Sequence, residues 1–161
     1  MKKILLTMLL CVVLTGCGDK DTTDPAITQF TKDMNTLCDN IVEIDKDINR
    51  IEFNANDEFA LQDSREALIA QLVLLEEQFT NFGAMDFPAD YDYLEAMADE
   101  ASAYMTEAVK TYKEVYADEA SFSATTEEYA RENYARAYKR LRIITALLRG
   151  ETPDEEGLTI Q

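Results

Sequence analysis

The sequence predicts an all-α protein, an antiparallel up-down four-helix bundle with heptad-like seams. Three observations lead there. Apolar residues recur at spacings of three and four along four successive stretches. No stretch alternates apolar and polar residues as a half-buried strand does. Clusters of turn-forming and capping residues separate the stretches, joining helices of similar length by short connections. Residues 26–150 are expected to form one domain, large enough to bury a core unaided.

The chain opens with Lys2 and Lys3, continues through an apolar run from Ile4 to Leu14, and reaches Leu14-Thr15-Gly16-Cys17. A charged start, an apolar middle and small residues at the end are the layout of a secretory signal. The run is well short of the ~20 residues that a helix needs to span a bilayer. Leu-x-Gly-Cys in this place resembles the lipobox of bacterial lipoproteins, a resemblance carried by the first 17 residues alone. It implies cleavage before Cys17, a diacylglyceryl group on that sulfur, and in some members of the family a further palmitate-like chain on its amine. Two or more chains anchor a protein stably where one does not. The resemblance therefore implies a signal peptide over 1–16 and a cell-envelope protein, held by lipid on the extracytoplasmic side of a bacterial membrane. The remaining domain resembles small helical-bundle lipoproteins in layout only, which carries over no site residues. Residues 17–25 would be the lipidated cysteine and a polar tether.

Asp24-Pro25 has the form of an N-cap followed by proline at the first helical position. The first helix is expected over 26–53, with a seam of Ile27, Phe30, Met34, Leu37, Ile41, Ile44, Ile48 and Ile51. Such a seam requires packing along the whole length. Asn54-Ala55-Asn56-Asp57 supplies turn formers. The second helix, over about 58–82, carries Leu61, Leu68, Leu72, Leu75, Phe79 and Phe82. Ile69, Val73 and Leu74 widen its apolar face, which predicts contact with more than one neighbour. Gly83 is placed to end it as a left-handed residue.

The third helix is expected from Pro88–Asp90 to about Asp118, with Leu94, Met97, Ala101, Tyr104, Ala108 and Val115 on its seam. Its alanines allow a partner helix to approach closely. Thr125 with Glu128 reads as a capping box for the fourth helix. There Ala130, Tyr134, Ala137, Leu141, Ile144 and Leu148 form the seam, and Gly150 then Pro153 end it. Residues 151–161 read as an acidic, disordered tail.

With 15 basic and 32 acidic residues, the chain has a formal charge of −17. Loss of residues 1–16 removes two lysines and no acid, leaving 13 basic residues against 32 acids and a charge of −19. Nucleic acid is excluded as a partner, because phosphate binding draws on clustered Lys and Arg. A cationic protein partner is the one such a charge favours. There is no histidine. That removes His-ligated haem, the Glu-x-x-His di-iron bundle and every His-dependent triad. Adjacent carboxylates such as Asp45/Asp47 and Glu76/Glu77 read as exposed neighbours without the pKa asymmetry that acid–base chemistry needs. Asp90-Tyr91-Asp92 is a mere fragment of a calcium loop. No catalytic residue, metal site or cofactor is expected. With Cys11 lost and Cys17 lipidated, Cys38 has no intramolecular disulfide partner and reads as a small buried hydrophobe.

Two distributions remain. Between Arg65 and Lys110 there is no Lys or Arg, yet there are ten acids, whereas Arg131, Arg136, Lys139, Arg140, Arg142 and Arg149 gather on the fourth helix. A hairpin turning near residue 121 sets Glu100 level with Arg142, so the arginines are expected to neutralise the third helix. All eight tyrosines lie between Tyr91 and Tyr138. Tyr104, Tyr112, Tyr134 and Tyr138 are the candidate lining of a binding groove, the competing reading being packing at the edge of the seam. The functional expectation is a non-catalytic, lipid-anchored helical module that binds an envelope or extracellular partner. The alternative is an acidic inhibitor or immunity-type protein that captures a cationic secreted enzyme.

Overall fold

A computed structural model describes residues 24–54, 61–117 and 122–153, and these form four α-helices with no strand. Cys17, the signal segment, the tether up to residue 23, residues 55–57 of the first connection and residues 154–161 of the tail lie outside the described residues. Helix α1 is Pro25–Asn54, α2 is Leu61–Gly83, α3 is Glu95–Val115 and α4 is Ala124–Leu148. Among the described residues no helix is long and apolar enough to cross a membrane.

Helix α1 starts as its sequence predicts. The Ala26 N–H donates to Asp24 Oδ1 at 2.9 Å, and Pro25 sits where a missing N–H costs nothing. Phe30, Met34, Leu37, Ile41 and Ile48 are buried, and Cys38 is buried beside them as expected. Asp45 is also buried, whereas Ile44 is only partly so. The inward stripe thus passes through 41, 45 and 48.

Leu68, Leu72, Leu75, Phe79 and Phe82 of α2 are fully buried. The broad face expected there is narrower, because Val73 and Leu74 are 40% and 44% exposed and only Ile69 packs against the core. Gly83 also departs from expectation. Its backbone is not left-handed; among the described glycines only Gly150 has positive φ. Gly83 serves packing instead, since a Cβ there would come 2.9 Å from Ser102 Cβ on α3.

The corner after α2 places Phe87 against Phe30 and Phe82, with ring centroids 5.0 and 6.3 Å apart. The Tyr91 N–H then donates to the Pro88 carbonyl at 2.7 Å, and a single 3₁₀ turn over Asp92–Leu94 leads into α3. Helix α3 therefore begins at Glu95 rather than near Pro88. Ala98, Ala101, Met105, Ala108, Val109, Tyr112 and Val115 are buried along it. For α4, Ser123 is the N-cap, its hydroxyl accepting from the Thr126 N–H at 3.3 Å, so the cap lies two residues before Thr125. At the far end Gly150 (φ +71°) donates to the Leu147 carbonyl and Glu151 to that of Ala146, both at 2.9 Å. This is the Schellman closure predicted by Gly150.

Helix α1 packs on α2, α2 on α3 and α3 on α4. Named contacts mark each seam. Asn40 donates to Gln78 at 3.0 Å between α1 and α2, and Lys113 lies 3.6 Å from Glu76 between α2 and α3. Arg140 reaches Glu100 at 2.9 Å between α3 and α4. Phe79 of α2 meets Tyr138 of α4 across the core at 5.3 Å.

Candidate functional site

The four tyrosines expected to line a groove do not share one surface. Tyr112, Tyr134 and Tyr138 are buried, and Tyr104 is half-buried beneath two arginines. The guanidinium carbons of Arg140 and Arg136 lie 4.7 and 5.7 Å from the Tyr104 ring centroid, within cation–π range. Tyr112 stacks on Tyr116 at 5.8 Å. Tyrosine at these positions fills volume between helices whose other seam residues include Ala98, Ala101, Ala108, Ala130 and Ala137. The residues belong to the core, and the reason is size: small neighbours leave room that a ring fills.

Tyr134 and Tyr138 stack with centroids 4.8 Å apart, and both hydroxyls donate to Asp45 Oδ1 on α1, at 3.3 and 2.5 Å. Asp45 is 3% exposed. Burial pushes its carboxyl up to about 6, against the two hydrogen bonds, which favour the charged form. Burial likewise pushes both tyrosine hydroxyls well above their ordinary value. A carboxyl poised near neutrality is what proton transfer needs. Here it faces two core tyrosines that fasten α4 to α1, with almost no surface open to a reactant. Adjacent carboxylates at Asp45 and Asp47 had pointed to an exposed pair. The usable signal was the 41–45–48 spacing, which keeps position 45 on the seam.

Charge is arranged more locally than the sequence predicts. Arg140, not Arg142, pairs with Glu100, a register offset of two residues. Other arginines on and just beyond α4 pair near themselves in sequence: Arg131 with Glu128, Arg136 with Glu132 and Arg149 with Glu151. Eight of the ten acids between Arg65 and Lys110 are exposed: Glu66, Glu77, Asp86, Asp90, Asp92, Glu95, Asp99 and Glu100. Within the same stretch Ala70, Val73, Leu74 and Glu77 share one outward face of α2, at i, i+3, i+4 and i+7. Tyr93, 62% exposed, stands in the acidic corner before α3. Apolar side chains thus stand in water within a stretch of chain that carries acids and no Lys or Arg, with Lys113 and Arg140 of neighbouring helices meeting two of its acids. Among the described residues no three Cys, Asp or Glu side chains gather as a metal site.

No family model, curated protein or solved structure matches the chain.

Proposed function

We propose that this protein is a lipid-anchored, extracytoplasmic helical module that binds an envelope or extracellular partner without catalysis. Leu14-Thr15-Gly16-Cys17 supports the anchor, with Cys17 as the acylated residue. The observation that carries the binding role is the exposure of Val73, Leu74 and Tyr93 within the stretch that has acids and no Lys or Arg. Exposed apolar anchors inside a charged rim are the composition of a docking surface. The surrounding acids favour a cationic partner and speed its approach. That charge is also what favours the second reading, an inhibitor or immunity-type protein that captures a basic secreted enzyme.

In this reading the four helices run alternately up and down, which presents α2 and the 83–100 corner along one side. Contacts support it. Phe30, early in α1, meets Phe87 just beyond α2. Gly83 faces Ala98 and Ser102, whereas Glu76 meets Lys113. Glu100 meets Arg140, whereas Tyr116 meets Glu127.

The test is capture from native envelope and culture fluid by the full chain, compared with a Val73→Asp/Leu74→Asp variant and washed at low and high salt. A partner held by the wild type and lost by the variant is the expected result, with Cys17→Ala moving the protein itself out of the membrane fraction. Release by salt alone selects the inhibitor reading. Equal capture by wild type and variant, or membrane retention of Cys17→Ala, overturns the corresponding half of the proposal.

A further inference from the structure

The early part of α2 and the end of α3 border an open pocket of about 390 Å³ that includes Arg65, Lys113 and Tyr116. Arg65 is 8% exposed. Elsewhere Asp45 is partnered by the two tyrosines, Glu127 by Tyr116, and Thr111, Asn133 and Thr145 by backbone carbonyls. Arg65 lines the pocket and differs, its Nε buried without a hydrogen-bond partner among the described residues, as the core Tyr112 hydroxyl also is. A buried donor without a partner is costly, and one on an arginine that lines a pocket calls for an explanation.

We infer that this pocket binds a small organic monoanion with an apolar body, such as a medium-chain carboxylate. Its carboxylate lies against Arg65, whose planar donors match that geometry. Lys113 supplies the second cation. Its Nζ sits 3.6 Å from Glu76, a long pairing that leaves donors for a ligand. Ile69, Ala70 and Ala117 give apolar walls. The Tyr116 hydroxyl already donates to Glu127 at 2.7 Å, so the pocket gains mainly its ring. Glu66 also lines the pocket and Glu76 stands beside Lys113, so two carboxylates offset the two cations. That balance accepts one negative charge and disfavours a dianion such as phosphate. The volume falls in the range of small-molecule sites.

The experiment titrates the ¹⁵N-labelled full chain with sodium octanoate, using octan-1-ol and inorganic phosphate as the uncharged and the non-apolar controls. Binding is read at the Arg65 Nε–H signal and at the Ala70 and Ala117 amides, so association elsewhere on the chain does not register. Saturable shifts with octanoate are expected, with octanol and phosphate each at least about tenfold weaker. Arg65→Met should weaken octanoate roughly tenfold or more, and Lys113→Met, at a more exposed position, by a smaller factor of about three. Should Arg65→Met fail to fold, Lys113→Met decides. No saturable shift below roughly 10 mM overturns the site. So does octanol or phosphate matching octanoate, or wild-type affinity in the folded variants.

Discussion

Burial raises the Asp45 carboxyl to about 6 because its charged form leaves water, and hydrogen bonds from Tyr134 and Tyr138 offset only part of that cost. In the unfolded chain the same group titrates near 3.9. Between about pH 4 and pH 6 the folded protein therefore holds a proton that the unfolded chain releases. Its stabilising contribution is complete below about pH 4 and is lost as pH rises through 6. The loss by neutral pH is on the order of 3 kcal/mol for a shift of about two units. Asp45→Asn keeps an oxygen for both tyrosine hydroxyls and cannot ionise. At pH 7 the variant should melt several degrees above wild type, and its stability should decline less steeply from pH 4 to pH 6 than that of wild type. Thermal melts across that range check it, and an unchanged wild-type slope in the variant would remove Asp45 as the source.

At the scale of elements, α2 and α3 approach as closely as they do because Gly83 lacks a side chain. An alanine there would set its Cβ 2.9 Å from Ser102 Cβ and 3.5 Å from the Ala98 carbonyl oxygen. Ser102 Cβ is fixed to its backbone, so relief requires the helices to separate. Helix propensity favours Ala over Gly by about 1 kcal/mol, but overpacking of this kind costs about 1–3 kcal/mol. The second effect wins. Gly83→Ala should lower stability by about 1 kcal/mol, with Ser102→Gly restoring part of the spacing; a more stable Gly83→Ala would mean the contact yields freely. Helix ends show how far sequence reading reaches. Asp24-Pro25 and Gly150 were legible because each has one economical role, a cap with its proline and a left-handed closure. Gly83 was not, because a glycine can serve either backbone conformation or close packing, and only the neighbour across the interface decides. Ser123 and Thr125 are both good caps, and local sequence does not choose between them.

Over the whole molecule, helix number and most of the seam were legible because period and burial follow one rule, the apolar stripe turned inward. Asp45 and Met105 were missed where neighbouring positions competed for the same inward angle, Ile44 with Asp45 and Tyr104 with Met105. The buried, unbonded Nε of Arg65 was invisible, since burial without a partner is a property of three dimensions. Charge acts at this largest scale. A formal −17 spreads repulsion over distances beyond a Debye length, which is about 10 Å at 0.1 M salt and 3 Å at 1 M. Salt also weakens ion pairs, but Lys46–Glu43, Arg50–Asp47 and Lys110–Glu107 are largely exposed and contribute only about 0–1 kcal/mol each. Their contacts of 2.6, 2.9 and 3.6 Å are also shorter than the screening length over most of that range. Repulsion across the surface is therefore relieved first, and added sodium chloride should raise the melting temperature at pH 7. The rise should shrink toward pH 4, as carboxylates protonate and the charge falls. Asp45→Asn should keep this salt response while losing Asp45's share of the pH 4–6 decline, because the one is a field summed over 32 acids and the other a single buried proton. Melting at low and high salt in both proteins separates them: a melting temperature that falls with salt at pH 7 would mean that local ion pairs, not overall repulsion, govern the electrostatics of this fold.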